Sequence, residues 1–186
     1  MATRPQTYQL FETAFGTCGL AWTETGVSRV QLPEQDEAAA ERRLQRYGAT
    51  RSRAAPPAIV LEGMSRLQQY FDGAPVGFQS LILDMQSVTD FNCRIYAALR
   101  AVSFGKTTTY GALALSVGSP GAAQAVGTAM ARNPWPVVVP CHRVLAAASN
   151  IGGFSAFGGA ATKRRLLQLE GVDLDHGQSN LPGLFD

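Results

Sequence analysis

At 186 residues, with a mean hydropathy of −0.01, the chain is long enough to bury the core of one large domain or two small ones and has the balance of a soluble globular protein. No apolar run reaches the roughly 18 residues needed to span a bilayer, and Met1–Thr7 lack the apolar stretch of a signal peptide, so no membrane contact and a cytoplasmic location are expected. Three widely spaced cysteines (Cys18, Cys93, Cys141) do not form a disulfide framework, and two histidines (His142, His176) without a CxxC pair make a zinc site unexpected. The net charge of +2 conceals a segregation. Acidic residues slightly outnumber arginines up to residue 90. Between 91 and 170, Arg94, Arg100, Lys106, Arg132, Arg143, Lys163, Arg164 and Arg165 face Glu170 alone, and Asp173, Asp175 and Asp186 follow. A basic half of this kind suits a polyanion such as nucleic acid, or simply forms solvated helix faces.

In chain order, TYQLFETAF, GLAWTET and VSRVQL between Thr7 and Leu32 alternate like short strands, with Gly16, Gly19 and Gly26 at the turns of an antiparallel meander. Pro33-Glu34 opens a charged stretch predicted helical to Tyr47. After Pro56-Pro57, Leu61, Met64, Leu67, Gln68 and Phe71 recur near helical spacing, and Phe78–Met85 is apolar enough for a further strand. Thr89 or Asp90 can cap a helix burying Phe91, Ile95, Leu99 and Val102. A helix-turn-helix candidate follows. Thr107 or Thr108 caps a first helix carrying Tyr110, Leu113, Ala114 and Val117, Gly118 turns the chain, and Ser119 and Pro120 start a second helix to about Arg132. Two ordinary packed helices would read the same way. Gly121, Ala122, Ala123, Ala125, Gly127, Thr128, Ala129 and Ala131 give the second helix a small-residue character that serves either close helix packing or entry into a narrow groove.

The most informative segment is Asn133–Val144. Three prolines, Pro134, Pro136 and Pro140, hold an irregular backbone around Val137–Val139, so Cys141 emerges from a rigid, buried element. A buried thiol has a raised pKa and is inert; an adjacent imidazole, here His142, can take its proton and release the nucleophilic thiolate. Adjacent residues of a strand point to opposite faces, so direct Cys–His contact requires a turn, and a water relay is the simpler expectation.

Pro140-Cys141-His142-Arg143-Val144 resembles the active-site signature of the O6-alkylguanine-DNA alkyltransferases, or methylated-DNA–protein-cysteine methyltransferases. The resemblance runs in family order through Ile95–Leu99, Phe104–Gly111, Ala125-Val126-Gly127, Asn133-Pro134, Gly152–Ser155 and Lys163–Gly171, while the first ninety residues match only in general pattern. It implies an α+β protein: a small α/β supporting domain over 1–88 with antiparallel strands and helices, a mainly helical domain with a helix-turn-helix over 89–174, and a tail over 175–186. It also implies a monomer without cofactor or metal, acting on double-stranded DNA that contains O6-alkylguanine, with single-stranded DNA as a second partner. The recognition helix would enter the minor groove and the target nucleotide would be flipped out of the stack.

The roles carry over by position. Cys141 is implied as alkyl acceptor, His142 as its base through a water, Glu170 as the group that orients His142, and Asn133 as support of the turn before the cysteine. Tyr110 is implied to crowd the target phosphate, and Val144 and Ser155 to meet the guanine edge. Gln124, Ala125, Gly127, Arg132 and Trp135 complete the implied DNA and substrate contacts. Gln124 stands where the family usually has the arginine that fills the gap left by the flipped base, which leads us to expect weaker duplex binding. Trp135 replaces an aliphatic residue and is expected to narrow the pocket or shield the thiol. The alternative is a lesion sensor that flips and binds damaged bases without repairing them; such proteins lack the cysteine that this chain keeps.

Overall fold

The computed structural model describes residues 5–146 and 151–174; the expected tail over 175–186 and His176 lie outside them. The three expected strands form as β1 (Gln6–Thr13), β2 (Gly16–Thr23) and β3 (Gly26–Gln31), an antiparallel meander. A fourth strand that the sequence pattern did not reveal, β4 (Ala49–Arg51), pairs parallel with β1 and gives the order β3-β2-β1-β4. The crossover into β4 is α1 (Glu37–Arg46). It begins three residues after the expected Glu34, because the Asp36 carboxylate caps it by accepting the Ala39 amide at 2.6 Å. On this face of the sheet Leu44 packs with Tyr8, Ala21 and Ala49. Gly19 is obligatory here, since a Cβ at that position would come 2.6 Å from Leu44 Cδ1. The other face carries Phe11, Leu20, Val27 and Val30, covered by Val60, Leu67 and Phe71 of α2 (Ala58–Phe71). Each fully buried leucine of this kind contributes about 1.5–3 kcal/mol.

Phe78–Met85 does not form the expected strand. It makes one parallel bridge, Val27 to Leu83, through Val27 N to Ile82 O and Asp84 N to Val27 O, both at 2.9 Å. The reason lies in its carbonyls. Those of Phe78, Gln79 and Leu81 accept from the Arg100 guanidinium instead of a neighbouring strand. Alternation is kept locally, with Leu81 and Leu83 buried and Ile82 exposed, but no ladder is left to propagate.

The second half is helical. Thr89 caps α3 (Asp90–Arg100), which buries Ile95, Tyr96 and Leu99. The next helix, α4 (Tyr110–Ser116), is capped by Thr109 through the Ala112 amide, later than the expected Thr107 or Thr108; Thr108 is buried and paired in a two-residue strand, β5 (Thr108–Thr109). Its partner is β6 (Val144–Leu145). The following helix, α5 (Ala123–Ala131), starts four residues after the expected Ser119. The Ser119 amide is consumed closing α4, donating to Ala114 O at 3.0 Å, and Gly121 at φ +84° turns the chain before α5 begins. The last helix is α6 (Gly159–Leu169), burying Lys163, Leu166 and Leu167. One hydrophobic core runs without interruption from Phe11 and Leu20 to Val126, Val139 and Leu166. No helix among the described residues is long and apolar enough to cross a membrane.

The two halves are joined at the outer edge of β3. Val30 N donates to Pro134 O at 2.9 Å, and the Trp135 indole Nε1 donates to Val27 O at 2.8 Å while its ring meets Tyr96 edge-on at 5.9 Å. Trp135→Phe keeps an aromatic ring but loses the donor and some volume, and is expected to destabilise the fold by about 1–2 kcal/mol, read as a lowered urea midpoint. An unchanged midpoint would show that the indole anchor carries no weight.

Candidate active site

The segment from α5 to Cys141 is a knotted turn built on Asn133. Its Nδ2 donates to Val139 O at 2.8 Å and its Oδ1 accepts the Trp135 amide at 2.9 Å, so one side chain closes both ends of the loop. Within the loop Val137 sits at φ +73°, a left-handed conformation that costs a β-branched residue about 1–3 kcal/mol, and it is held there fully buried. Pro140, at φ −79° and ψ 65°, is the centre of an inverse γ-turn closed by Cys141 N to Val139 O at 2.8 Å. Cys141–Arg143 then form a single turn of 3-10 helix, the turn that the sequence argument required for Cys141 and His142 to cooperate.

Cys141 is 5% exposed and opens on a cavity of about 270 Å³ lined by Tyr110, Gly127, Met130, Ala131, Gly153, Phe154 and Ser155. A larger groove of about 700 Å³ lies on the sheet beside Trp22, Ile59 and Ile82, but among the described residues Glu24 is the only titratable side chain lining it. Burial pushes the Cys141 thiol up; a hydrogen bond from Asn133 and the charge of Lys163 act against that rise. Lys163 is completely buried, donates from Nζ to Val144 O at 2.6 Å, and is pulled down by burial to about 8. The sequence pattern placed Lys163 in a shared motif without a role; its charge acts in favour of the Cys141 thiolate.

Behind the thiol lies a buried polar cluster. His142 Nε2 is 2.7 Å from Glu170 Oε1, and Arg143 donates to the same carboxylate from Nε at 2.9 Å to Oε2 and from Nη2 at 2.9 Å to Oε1. The Gly105 amide donates to Oε2 at 3.0 Å, and the Tyr70 hydroxyl donates to Oε1 at 2.7 Å. Gly105 cannot be replaced: its φ is +73° and a Cβ would lie 2.9 Å from Glu170 O. Burial alone would raise the Glu170 carboxyl, but the hydrogen bonds from His142 and Arg143 outweigh it and hold the group at about 2. Burial pushes His142 down, so the imidazole is neutral at neutral pH. A carboxylate only accepts, so the ring proton belongs on Nε2, which leaves a lone pair on Nδ1. Nδ1 is buried and has no hydrogen-bond partner among the described residues, so its lone pair can receive a proton.

The structure thus gathers Cys141, His142, Glu170 and Asn133 into one buried unit, with Tyr110, Gly127 and Ser155 at the cavity. Gln124, Ala125 and Arg132 lie on the exposed face of α5. One expectation is corrected. Trp135 is buried against Tyr96 and β3, away from the cavity lining, so it neither narrows the pocket nor shields the thiol. Val144 is fully buried in β6, its carbonyl accepts from Lys163 Nζ, and it is not among the residues that line the cavity. Among the described residues no group of three or more His, Cys, Asp or Glu side chains could hold a metal ion.

Comparison with known proteins places this geometry. Residues 90–172 match the family described as 6-O-methylguanine DNA methyltransferase, DNA binding domain. The chain is 31% identical over 157 residues to the methylated-DNA–protein-cysteine methyltransferase of Methanothermobacter thermautotrophicus, covering 84% of this chain and 81% of that one. It is 39% identical over 127 residues to the Mycobacterium tuberculosis protein of the same name, covering 68% and 74%. The crystal structure of Mycobacterium tuberculosis OGT in complex with DNA superposes with a TM-score of 0.71 at 33% identity, over 88% of this chain and 92% of that one. The O6-methylguanine-DNA methyltransferase of Pyrococcus kodakaraensis gives 0.66 at 28% identity, over 90% and 99%.

Acid should test the carboxylate cluster directly. Above the usual carboxylate value of 4.5, Glu170 is ionised whether folded or not; between 4.5 and about 2 only the unfolded chain binds the proton. Stability is therefore lost as pH falls through that window, by roughly 3 kcal/mol from this group. Glu170→Gln, which leaves Arg143 without its carboxylate, should begin about 3–5 kcal/mol lower and lose less on acidification. Parallel denaturation curves for the two proteins from pH 6 to pH 2.5 would contradict the assignment.

Proposed function

Because the chain belongs to the methylated-DNA–protein-cysteine methyltransferase family, a family of direct DNA repair, we propose that Cys141 is the acceptor to which the alkyl group of O6-alkylguanine is transferred. The observation that carries the assignment is Cys141 lining a cavity, with the buried His142–Glu170 pair beginning at the next residue. His142 offers an unpartnered Nδ1 on the cysteine's own turn and is oriented through Nε2 by a carboxylate held ionised.

The chemistry follows from those groups. The thiol proton passes to His142 Nδ1, with one water able to bridge, and Glu170 stabilises the imidazolium. Lys163 favours the thiolate by charge. The sulfur attacks the alkyl carbon in line, the carbon–O6 bond breaks, and guanine leaves with a proton returned to its ring, to which Tyr110 at the cavity wall can donate. The protein keeps a thioether. That bond has no easy hydrolytic route, so each molecule acts once.

We read residues 89–174 as the unit that meets double-stranded DNA and residues 1–88 as its support, with a cytoplasmic site of action. Gln124, Ala125, Thr128 and Ala131 line the exposed side of α5, and the small side chains among them suit a helix that enters the minor groove. A flipped guanine bearing a small alkyl group is of a size to use a cavity of about 270 Å³. Gln124 is exposed on the first turn of α5, where it can hydrogen-bond the orphaned base but reaches less far than an arginine.

Incubation with a duplex carrying one O6-methylguanine should add a single methyl group to the intact protein, seen by mass spectrometry and abolished in Cys141→Ala. A lesion bound without any mass gain would sink the acceptor assignment in favour of a damage sensor. Gln124→Arg should tighten duplex binding about tenfold, the effect of roughly 1.4 kcal/mol, while single-stranded substrate changes less. Equal affinities for the two proteins would remove Gln124 from the flipping machinery.

A further inference from the structure

Tyr70 comes from α2, in the half of the chain expected only to support, yet its hydroxyl lies inside the relay. It is 0% exposed, with its ring edge-on to Phe71, Phe78, Phe104 and His142 at centroid distances of 5.3–6.3 Å. A hydroxyl has one proton to give. Glu170 accepts only, so that proton lies on the 2.7 Å bond to Oε1, the same oxygen that accepts His142 Nε2 at 2.7 Å. Tyr70 O and His142 Nε2 are themselves 3.2 Å apart, closing a triangle of three atoms. Arg143 adds bonds to Oε1 from Nε at 3.1 Å and Nη2 at 2.9 Å.

We propose that Tyr70 is a positioning residue that sets the basicity of His142 by competing with it for Glu170 Oε1. Each donor on one oxygen draws on the same charge, so the Tyr70 bond weakens the pull of Glu170 on a protonated imidazole. Without that competition Glu170 would hold a proton on His142 more strongly, and an imidazolium cannot take the thiol proton. The same hydroxyl prevents rotation of the carboxylate, which is also gripped by Arg143 and Gly105. The other charged or titratable groups facing His142 are Arg143 beside it, Lys163 from α6 and the Cys141 thiol. Both cations disfavour imidazolium, in the same direction as Tyr70, and burial adds to this. The N-terminal half thereby takes part in the chemistry through one oxygen atom.

This rests on the His142 relay, and the test separates the two. The chain has two histidines, so 15N-histidine NMR resolves His142 once His176→Ala has assigned the other signal. In wild type the spectrum should show the Nε2–H tautomer at neutral pH. Tyr70→Phe keeps the ring and removes the hydroxyl; it should raise the His142 titration by about 0.5–1 pH unit and carry the acid limb of the single-turnover methyl-transfer rate upward by the same amount. The rate on the alkaline plateau should be retained. Site-specific 3-fluorotyrosine at position 70, of nearly equal size but a stronger donor, should move both in the opposite direction. A variant that only loosens the fold lowers the rate at every pH and leaves the titration in place. An unmoved or lowered titration in Tyr70→Phe, or an Nδ1–H tautomer in wild type, overturns the proposal. Absence of methyl transfer by wild type, with the titration shifts intact, would instead overturn the acceptor assignment.

Discussion

The carboxylate of Glu170 is the point through which the second half of the molecule is organised. It stands just past the end of α6, 5% exposed, and accepts from Tyr70 on α2, Gly105 before β5, and His142 and Arg143 on the 3-10 turn. A carboxyl group buried without partners would be neutral and would attract none of them strongly. With this many donors it remains charged, and the charge in turn fixes the tautomer of His142. The cluster is costly to assemble and more costly to leave incomplete, since Arg143 without Glu170 would be a buried, uncompensated cation.

The rest of the scaffold can be understood as what holds that cluster against a strained turn. Val137 in the left-handed region and the inverse γ-turn at Pro140 place Cys141 on a backbone that would relax if free. Asn133 ties the loop internally. Pro134 and Trp135 tie it externally to β3, so the sheet that carries no catalytic side chain still determines where the thiol sits. Trp135 therefore acts as an anchor between the cysteine segment and β3. A cysteine held this rigidly, with a neutral base on its own turn, needs no large rearrangement within the relay to react; the motion demanded by the reaction falls on the nucleotide.

Several elements were legible because their signals are local. The β1–β3 meander follows from alternation and turn glycines, α3 from a threonine cap with apolar residues at helical spacing, and the cysteine segment from its prolines. The errors have a common origin in backbone groups claimed from elsewhere. Phe78–Met85 alternates like a strand, but the Arg100 guanidinium takes its carbonyls. Ser119 has the chemistry of an N-cap, but its carbonyl accepts the Ala122 amide in a turn at 3.1 Å and Gly121 at φ +84° bends the chain before a helix can start. Three residues suffice for β4 only because β1 offers a free edge, and nothing in Ala49–Arg51 announces it.

The sequence by itself determined the chemistry: a cysteine followed by histidine in a proline-bound segment, a basic half with one acidic residue, and a spaced set of motifs that marks the family. Those are properties of residue type and order, which survive translation into any coordinates. Tertiary structure alone decided which nitrogen of His142 meets Glu170, that the charge of Lys163 acts on the thiol, that Trp135 faces β3, and that Tyr70 reaches Glu170 from 100 positions away. Each of these depends on where a side chain's last polar atom falls to within about half an ångström. That distance is set by the packing of the sheet's two faces and the helices together, and no local pattern encodes it.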